Sequence, residues 1–183
     1  MKNKKYYIGL LIIWILLSGL SLYLATRSNL IHSNYSDLLT SDRYRYGVYL
    51  WSLMNGFSLC SLVYLSNPNE LKNKVILCFV MWLIATCCPY APAQHPLLSS
   101  LHIILAYICF CFINGLIIYS IYLLGQKDIL KANQIMSKYF LLLGLHGLYF
   151  MIMGGINSIF EASYTITLNG FLLVYVYHLN KNK

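Results

Sequence analysis

"LLSSLHIILAYICFCFINGLIIYSIYLL", Leu97 to Leu124, runs without a single Asp, Glu, Lys or Arg. A helix covers about 30 Å of hydrocarbon with roughly 20 residues, so this stretch can cross a bilayer with length to spare for tilting or for running past the surface. Around it lie five further apolar stretches, at about 6–25, 47–65, 73–90, 137–155 and 159–178. The third is short and leans on Lys72 and Lys74 snorkelling to the interface. The pattern predicts an all-α integral membrane bundle of six transmembrane helices, filling residues 1–183 as a single domain.

Composition agrees with that class. Of the 183 residues 59% are hydrophobic and 10% charged, where an ordinary soluble domain carries about a quarter charged residues. The net charge of +8 comes from basic residues scattered through short loops rather than gathered on a helix or stripe, so topology accounts for it and nucleic acid is not an expected partner. The opening "MKNKKYYIGLLIIWILLSGLSLYLATR" has the basic flank of a signal peptide. Its apolar core from Tyr6 to Ala25 exceeds the usual 7 to 15 residues, so it is read as the first span.

The rule that cytoplasmic loops carry excess Lys and Arg gives the orientation. An internal N-terminus places Lys2, Lys4, Lys5, Lys72, Lys74, Lys127, Lys131, Lys138, Lys181 and Lys183 inside and only Arg27, Arg43 and Arg45 outside. Both termini are therefore expected in the cytoplasm, in a multi-pass protein of the cytoplasmic membrane. The outer surface is then built from "TRSNLIHSNYSDLLTSDRYRY" and the proline-rich "CPYAPAQHPLLSS".

Polar residues recur at one depth. Ser18, Asn55, Asn114, His146 and Asn169 all fall within roughly 5 Å of the midplane of their helices, and each is followed by glycine. An amide in hydrocarbon needs hydrogen-bond partners, and glycine lets a neighbouring backbone approach, so these pairs predict a hydrogen-bonded waist. The same groups can instead line a ligand site, with His146 as the titratable member at depth. The second, fourth and sixth stretches also resemble one another around "MNGF", "INGL" and "LNGF", an arrangement that would bring Asn55, Asn114 and Asn169 towards a common centre.

A second constellation sits at the expected outer ends. His95, His102, Glu161, Asp42, Arg43 and Arg45 gather there, and Glu161 with His102, or with Arg43 or Arg45, makes a chemically sensible pair. His102 is a candidate general base, with a nearby Ser, Thr or Cys as nucleophile and Glu161 as a second candidate, but no GxSxG, HExxH or comparable motif places such groups together. The six Cys, at 60, 78, 87, 88, 109 and 111, contain no CxxC spacing, and no metal site or cofactor is expected.

The stretch "CPYAPAQHPLLSSLHIILAYICF" resembles the loop and fourth helix of the DRAM/FRAG-like six-helix membrane proteins, through Pro89, His102, Ala106 and Phe110. That resemblance implies a six-helix bundle with a membrane role and no established reaction. A more general resemblance is to the substrate-binding subunits of energy-coupling-factor vitamin transporters, whose first helix carries an Ala-xxx-Ala-like face. Here Ser21 and Ala25 form the small-xxx-small pair.

The first functional expectation is a non-enzymatic membrane protein that binds a lipid or small molecule from the outer side, through Asn55, Asn114, His146, Asn169, Arg43 and Arg45, or that supports a membrane-protein partner. The alternatives are an intramembrane lipid hydrolase with an outer-leaflet site at His102 and Glu161, and a transporter's substrate-binding subunit.

Overall fold

The computed structural model describes residues 4–181, and within them the chain is helical with no strand. Six long helices, α1 (Lys4–Ala25), α2 (Arg45–Ser66), α3 (Pro68–Cys87), α4 (Pro96–Gly125), α5 (Ile129–Met153) and α6 (Ser158–Lys181), are joined by short connections, and a 3-10 segment, Tyr35–Thr40, sits in the first of them. Lys2 and Lys183, both assigned above to the cytoplasmic side, lie outside the described residues.

Five of the six helices are long and apolar enough to cross a membrane; α3 is not among them. Glu70, Lys72 and Lys74 occupy its first two turns, so the uncharged part, from Val75 to Cys87, rises only about 20 Å. The expected stretch 73–90 is also displaced. Pro68 opens the helix at its first turn, where a missing N–H costs nothing. Pro89 closes it by driving Cys88 into extended backbone at φ −71°, ψ 121°. Helix α5 starts eight residues before the expected 137, because the Asp128 side chain caps it by accepting the Lys131 N–H at 3.0 Å. It ends at Gly154, whose φ of +71° is the left-handed conformation that closes many helices.

Each helix packs on the next in sequence and α1 closes the ring on α6, while α2 also touches α6 and α4. At one end, called here the terminal end, Tyr7 of α1 meets Tyr177 of α6 with ring centroids 5.4 Å apart. At the opposite end, the loop end, the first connection and the proline-rich connection cover the helices. The main core is aliphatic, centred on Leu59, Leu62, Ile113, Ile117, Leu168 and Leu172, all essentially inaccessible. A second cluster at the loop end joins Leu24, Val48 and Ala162 to Tyr35, Leu38 and Leu39 of the 3-10 segment.

Helix α5 is the least integrated. Its buried residues, Ala132 and Tyr139, both lie in its first half. Beyond them Gly144 and Gly147 have open space where a Cβ would project. At the loop end α5 rests on α6 through His146, Tyr149 and Phe150 against Phe160 but buries no residue fully, and a cavity opens beside it.

Candidate functional site

The 3-10 segment is where the site begins. Asn34 and Asp37 form a capping box: Asn34 Oδ1 accepts the Asp37 N–H at 3.2 Å, and the Asn34 N–H donates to Asp37 Oδ2 at 2.9 Å. Tyr35, 1% exposed, drops between α1 and α2. Its hydroxyl donates to the Ser21 carbonyl at 2.5 Å, its ring meets Trp51 edge-on at 4.8 Å, and Trp51 Nε1 donates to Ser21 Oγ at 2.9 Å. Burial, and secondly the Glu161 carboxylate, push the Tyr35 phenol pKa upward, keeping it a neutral donor. Glu161 Oε2 accepts the Tyr35 backbone N–H at 2.6 Å. The Ser158 hydroxyl and N–H both donate to the Ser33 carbonyl, at 2.8 and 2.9 Å, tying the same loop to the start of α6.

Beneath this cap lies a cavity of about 700 Å³ walled by α2, α3, α4, α5 and α6. It is lined chiefly by aromatic and aliphatic side chains, including Trp51, Trp82, Phe110, Phe160 and Tyr164. Ser36, His102 and Glu161 stand at its loop end; Asn55, Thr165 and His146 lie deeper. From His102 to Ile113, both in its wall, α4 rises roughly 16 Å, about half the thickness of a bilayer's hydrocarbon core. The exposed lining residues, Ile103, Ala106, Tyr107, Gly147 and Phe150, belong without exception to α4 and α5. The cavity therefore opens sideways, between those two helices, onto the surface that faces lipid in a bilayer.

His102 is held at both ring nitrogens. Nδ1 lies 3.0 Å from the Cys88 carbonyl, and because a carbonyl only accepts, Nδ1 carries the proton. Nε2 is then an acceptor, and the Ser36 hydroxyl donates to it across 3.2 Å. The Tyr90 ring packs against the imidazole at 5.5 Å. The pairings expected of Glu161 with His102 or with an arginine do not form. Glu161 binds backbone, and Arg45 pairs with Asp42 at 3.0 Å while its Nε donates to the Leu39 carbonyl. Arg43 lies over the Tyr44 ring. Neither arginine lines the cavity.

The waist divides into two knots. Asn169 Nδ2 donates to Asn55 Oδ1 at 2.9 Å and to the Thr165 carbonyl at 2.9 Å, while Asn55 Nδ2 reaches Thr165 Oγ1 at 3.5 Å. Asn114 is separate. Its Oδ1 accepts the hydroxyls of Tyr139 at 2.5 Å and Tyr164 at 2.7 Å, and its Nδ2 donates to the Phe110 carbonyl at 2.6 Å. Asn114 thus makes no hydrogen bond to Asn55 or Asn169. His146 donates from Nδ1 to the Leu142 carbonyl of its own helix at 2.9 Å and packs edge-on against Phe160 and Tyr164 in the cavity wall. Ser18 likewise bonds within its helix, to the Trp14 carbonyl.

The glycines part company with the expected close approach as well. A Cβ on Gly56 would meet the Trp82 ring at 2.7 Å and one on Gly170 would touch Trp14 at 3.4 Å, whereas Gly19, Gly115 and Gly147 face open space.

No family model, curated protein or solved structure matches the chain. The site must accordingly be read from its own geometry. Of the residues singled out from sequence, His102, Glu161, Asn55 and His146 line the cavity; Asn114, Asn169, Arg43 and Arg45 do not. Ser36, the hydroxyl that meets His102, was missed. The signal for its placement was present in "NYSD", Asn34 to Asp37, a polar residue followed three positions later by an acid, which is a capping pattern. Its partner, 66 positions away, leaves no trace in local sequence.

Proposed function

We propose that this protein takes the hydrocarbon portion of a lipid from one leaflet through the gap between α4 and α5 and holds it in the cavity, with the lipid's polar part at Ser36, His102 and Glu161. The observation that carries this reading is the lateral opening: the most exposed residues of the cavity wall, Ile103, Ala106, Tyr107, Gly147 and Phe150, all lie on α4 and α5. An aqueous solute would be better served by an opening at the loop end, which the 3-10 segment covers. The depth of the cavity suits one leaflet, and its aromatic lining with a few convergent polar groups suits an apolar ligand with a small head.

In this reading all six helices traverse the membrane. The charged first turns of α3 sit among headgroups, and the lysines Lys5, Lys72, Lys74, Lys127, Lys131 and Lys138 face the cytoplasm. The loop end then faces outward, and the lipid comes from the outer leaflet of the cytoplasmic membrane. A DRAM/FRAG-like relationship fits the same reading. Of the residues that carry it, Pro89 ends α3, and His102, Ala106 and Phe110 line the cavity.

The test is mass spectrometry of lipid retained after purification in mild detergent. The wild-type chain should retain lipid near one per protein, and Ala106→Trp, which fills the gap from the α4 side, should lose it. Equal retention by the two would count against the lateral route.

A further inference from the structure

We propose that Ser36 and His102 form a nucleophile and base that hydrolyse a carboxylic ester of the lipid held in the cavity, an inference that rests on the lipid-binding reading. Among the described residues Ser36 is the one serine whose hydroxyl meets an imidazole nitrogen, at 3.2 Å. Several buried serines are instead tied to carbonyls of their own helices, as Ser21 is to Leu17 and Ser66 to Val63, and Ser158 donates to the Ser33 carbonyl. The Cys88 carbonyl fixes the His102 tautomer with the proton on Nδ1, leaving Nε2 as the base, the role a carboxylate has in a serine–histidine–aspartate triad. Both side chains line the cavity at its loop end, where the ester of a lipid with its chain inserted would lie.

The backbone around Ser36 is braced on both sides. Tyr35 is buried and its N–H is held by Glu161, while the Asp37 N–H is held by Asn34. Glu161 is thus a positioning residue, acting on the nucleophile through the peptide before it. Asn34 lines the same wall, and with its Oδ1 engaged by Asp37, its Nδ2 is the donor that can face a developing oxyanion.

The reaction closes on ester and water. Ser36 Oγ bonds to the carbonyl carbon as its proton passes to His102 Nε2. The tetrahedral adduct then breaks its bond to the alkoxy oxygen, which takes the Nε2 proton and leaves as the free alcohol. Water next gives a proton to Nε2 and bonds to the acyl carbon. The acyl–Oγ bond breaks, Oγ recovers the proton, and a fatty acid is released.

The test is covalent labelling of the full chain, reconstituted in lipid, by a long-chain alkyl fluorophosphonate, followed by peptide mapping. Oγ displaces fluoride from phosphorus in that reaction. Wild type should carry the adduct on Ser36. Ser36→Ala should carry none, and the exposed Ser100→Ala should label as wild type. His102→Gln should label about 100-fold more slowly or worse, the usual scale for a lost general base, while melting within a few degrees of wild type. Glu161→Gln, which still offers an oxygen to the Tyr35 N–H, should label nearly normally, and Glu161→Ala slowly; equal rates for these two variants would remove the positioning role. A photoreactive fatty-acyl lipid serves as the second measurement. If it crosslinks within the cavity while Ser36 stays unlabelled, the hydrolytic inference is overturned and lipid binding stands; if neither reagent marks the cavity, both fall.

Discussion

Replacing Asn114 by Leu removes the shared acceptor of two tyrosine hydroxyls deep in the bundle. Tyr139 is fully buried and Tyr164 nearly so, and their bonds to Asn114 Oδ1 measure 2.5 and 2.7 Å. Leu fills similar space, so little packing is lost. Two phenolic donors are then left facing an apolar side chain. An orphaned buried donor costs about 1–3 kcal/mol, while measured side-chain hydrogen bonds within membranes average about 0.6 and reach about 1.7 kcal/mol. Tyr164 borders the cavity and belongs at the lower end. The expected loss for Asn114→Leu is therefore about 2–4 kcal/mol.

Tyr139→Phe alone leaves Asn114 bonded to Tyr164 and should cost about 1 kcal/mol or less. The triple variant Asn114→Leu, Tyr139→Phe, Tyr164→Phe has no orphan among these groups and should recover most of the loss. Reversible unfolding in mixed detergent micelles measures all three. Wild-type stability in Asn114→Leu, or a triple variant no better than the single one, would refute the reasoning.

The remaining expectations concern glycine, the cap and the gap. Gly56→Ala should destabilise by about 1–3 kcal/mol through overpacking, because its Cβ meets a Trp82 ring pinned by the Ser52 carbonyl at 3.0 Å. Gly115→Ala, with nothing within 4 Å, should be neutral or stabilise by up to about 1 kcal/mol; both are read from the same unfolding curves. Glu161→Ala should speed amide hydrogen exchange across Tyr35–Thr40, while Glu161→Gln should leave it near wild type. Tyr35→Phe, which gives up the bond to Ser21, should make the first loop cleave sooner in limited proteolysis, with α4 to α6 unaffected.

The apolar stretches marked the six helices to within a few residues at most ends, because uncharged length alone decides what a bilayer will accept. Where they erred, a local cap prevailed over hydropathy: Asp128 began α5 inside a polar stretch, and Pro89 stopped α3 inside an apolar one. The Asn-Gly pairs predicted hydrogen-bonded amides, and Asn55, Asn114 and Asn169 are bonded. Which amide meets which depends on helix rotation, and so the Asn55–Asn169 pair and the tyrosine-bound Asn114 were not separable in advance.

The cavity was less legible. It exists because the second half of α5 is only loosely packed, burying no residue fully, and by its hydropathy α5 cannot be told from the well-packed α2 and α6. His102 and Glu161 were found because ionisable groups near a membrane rarely face lipid. Their partners were not, because those partners belong to a polar loop that folds back over the helices.

The most direct test of the account is where a membrane lipid crosslinks. A phospholipid with a photoreactive group at the end of its acyl chain, irradiated with the protein in bilayers, should mark deep lining residues such as Asn55, Leu59 and Ile113. Gly147→Trp, which fills open space at the gap, should abolish those adducts. Adducts confined to outward residues of α5 such as Leu141, Leu145 and Met151, unchanged in Gly147→Trp, would contradict the claim that the cavity receives a lipid from the side.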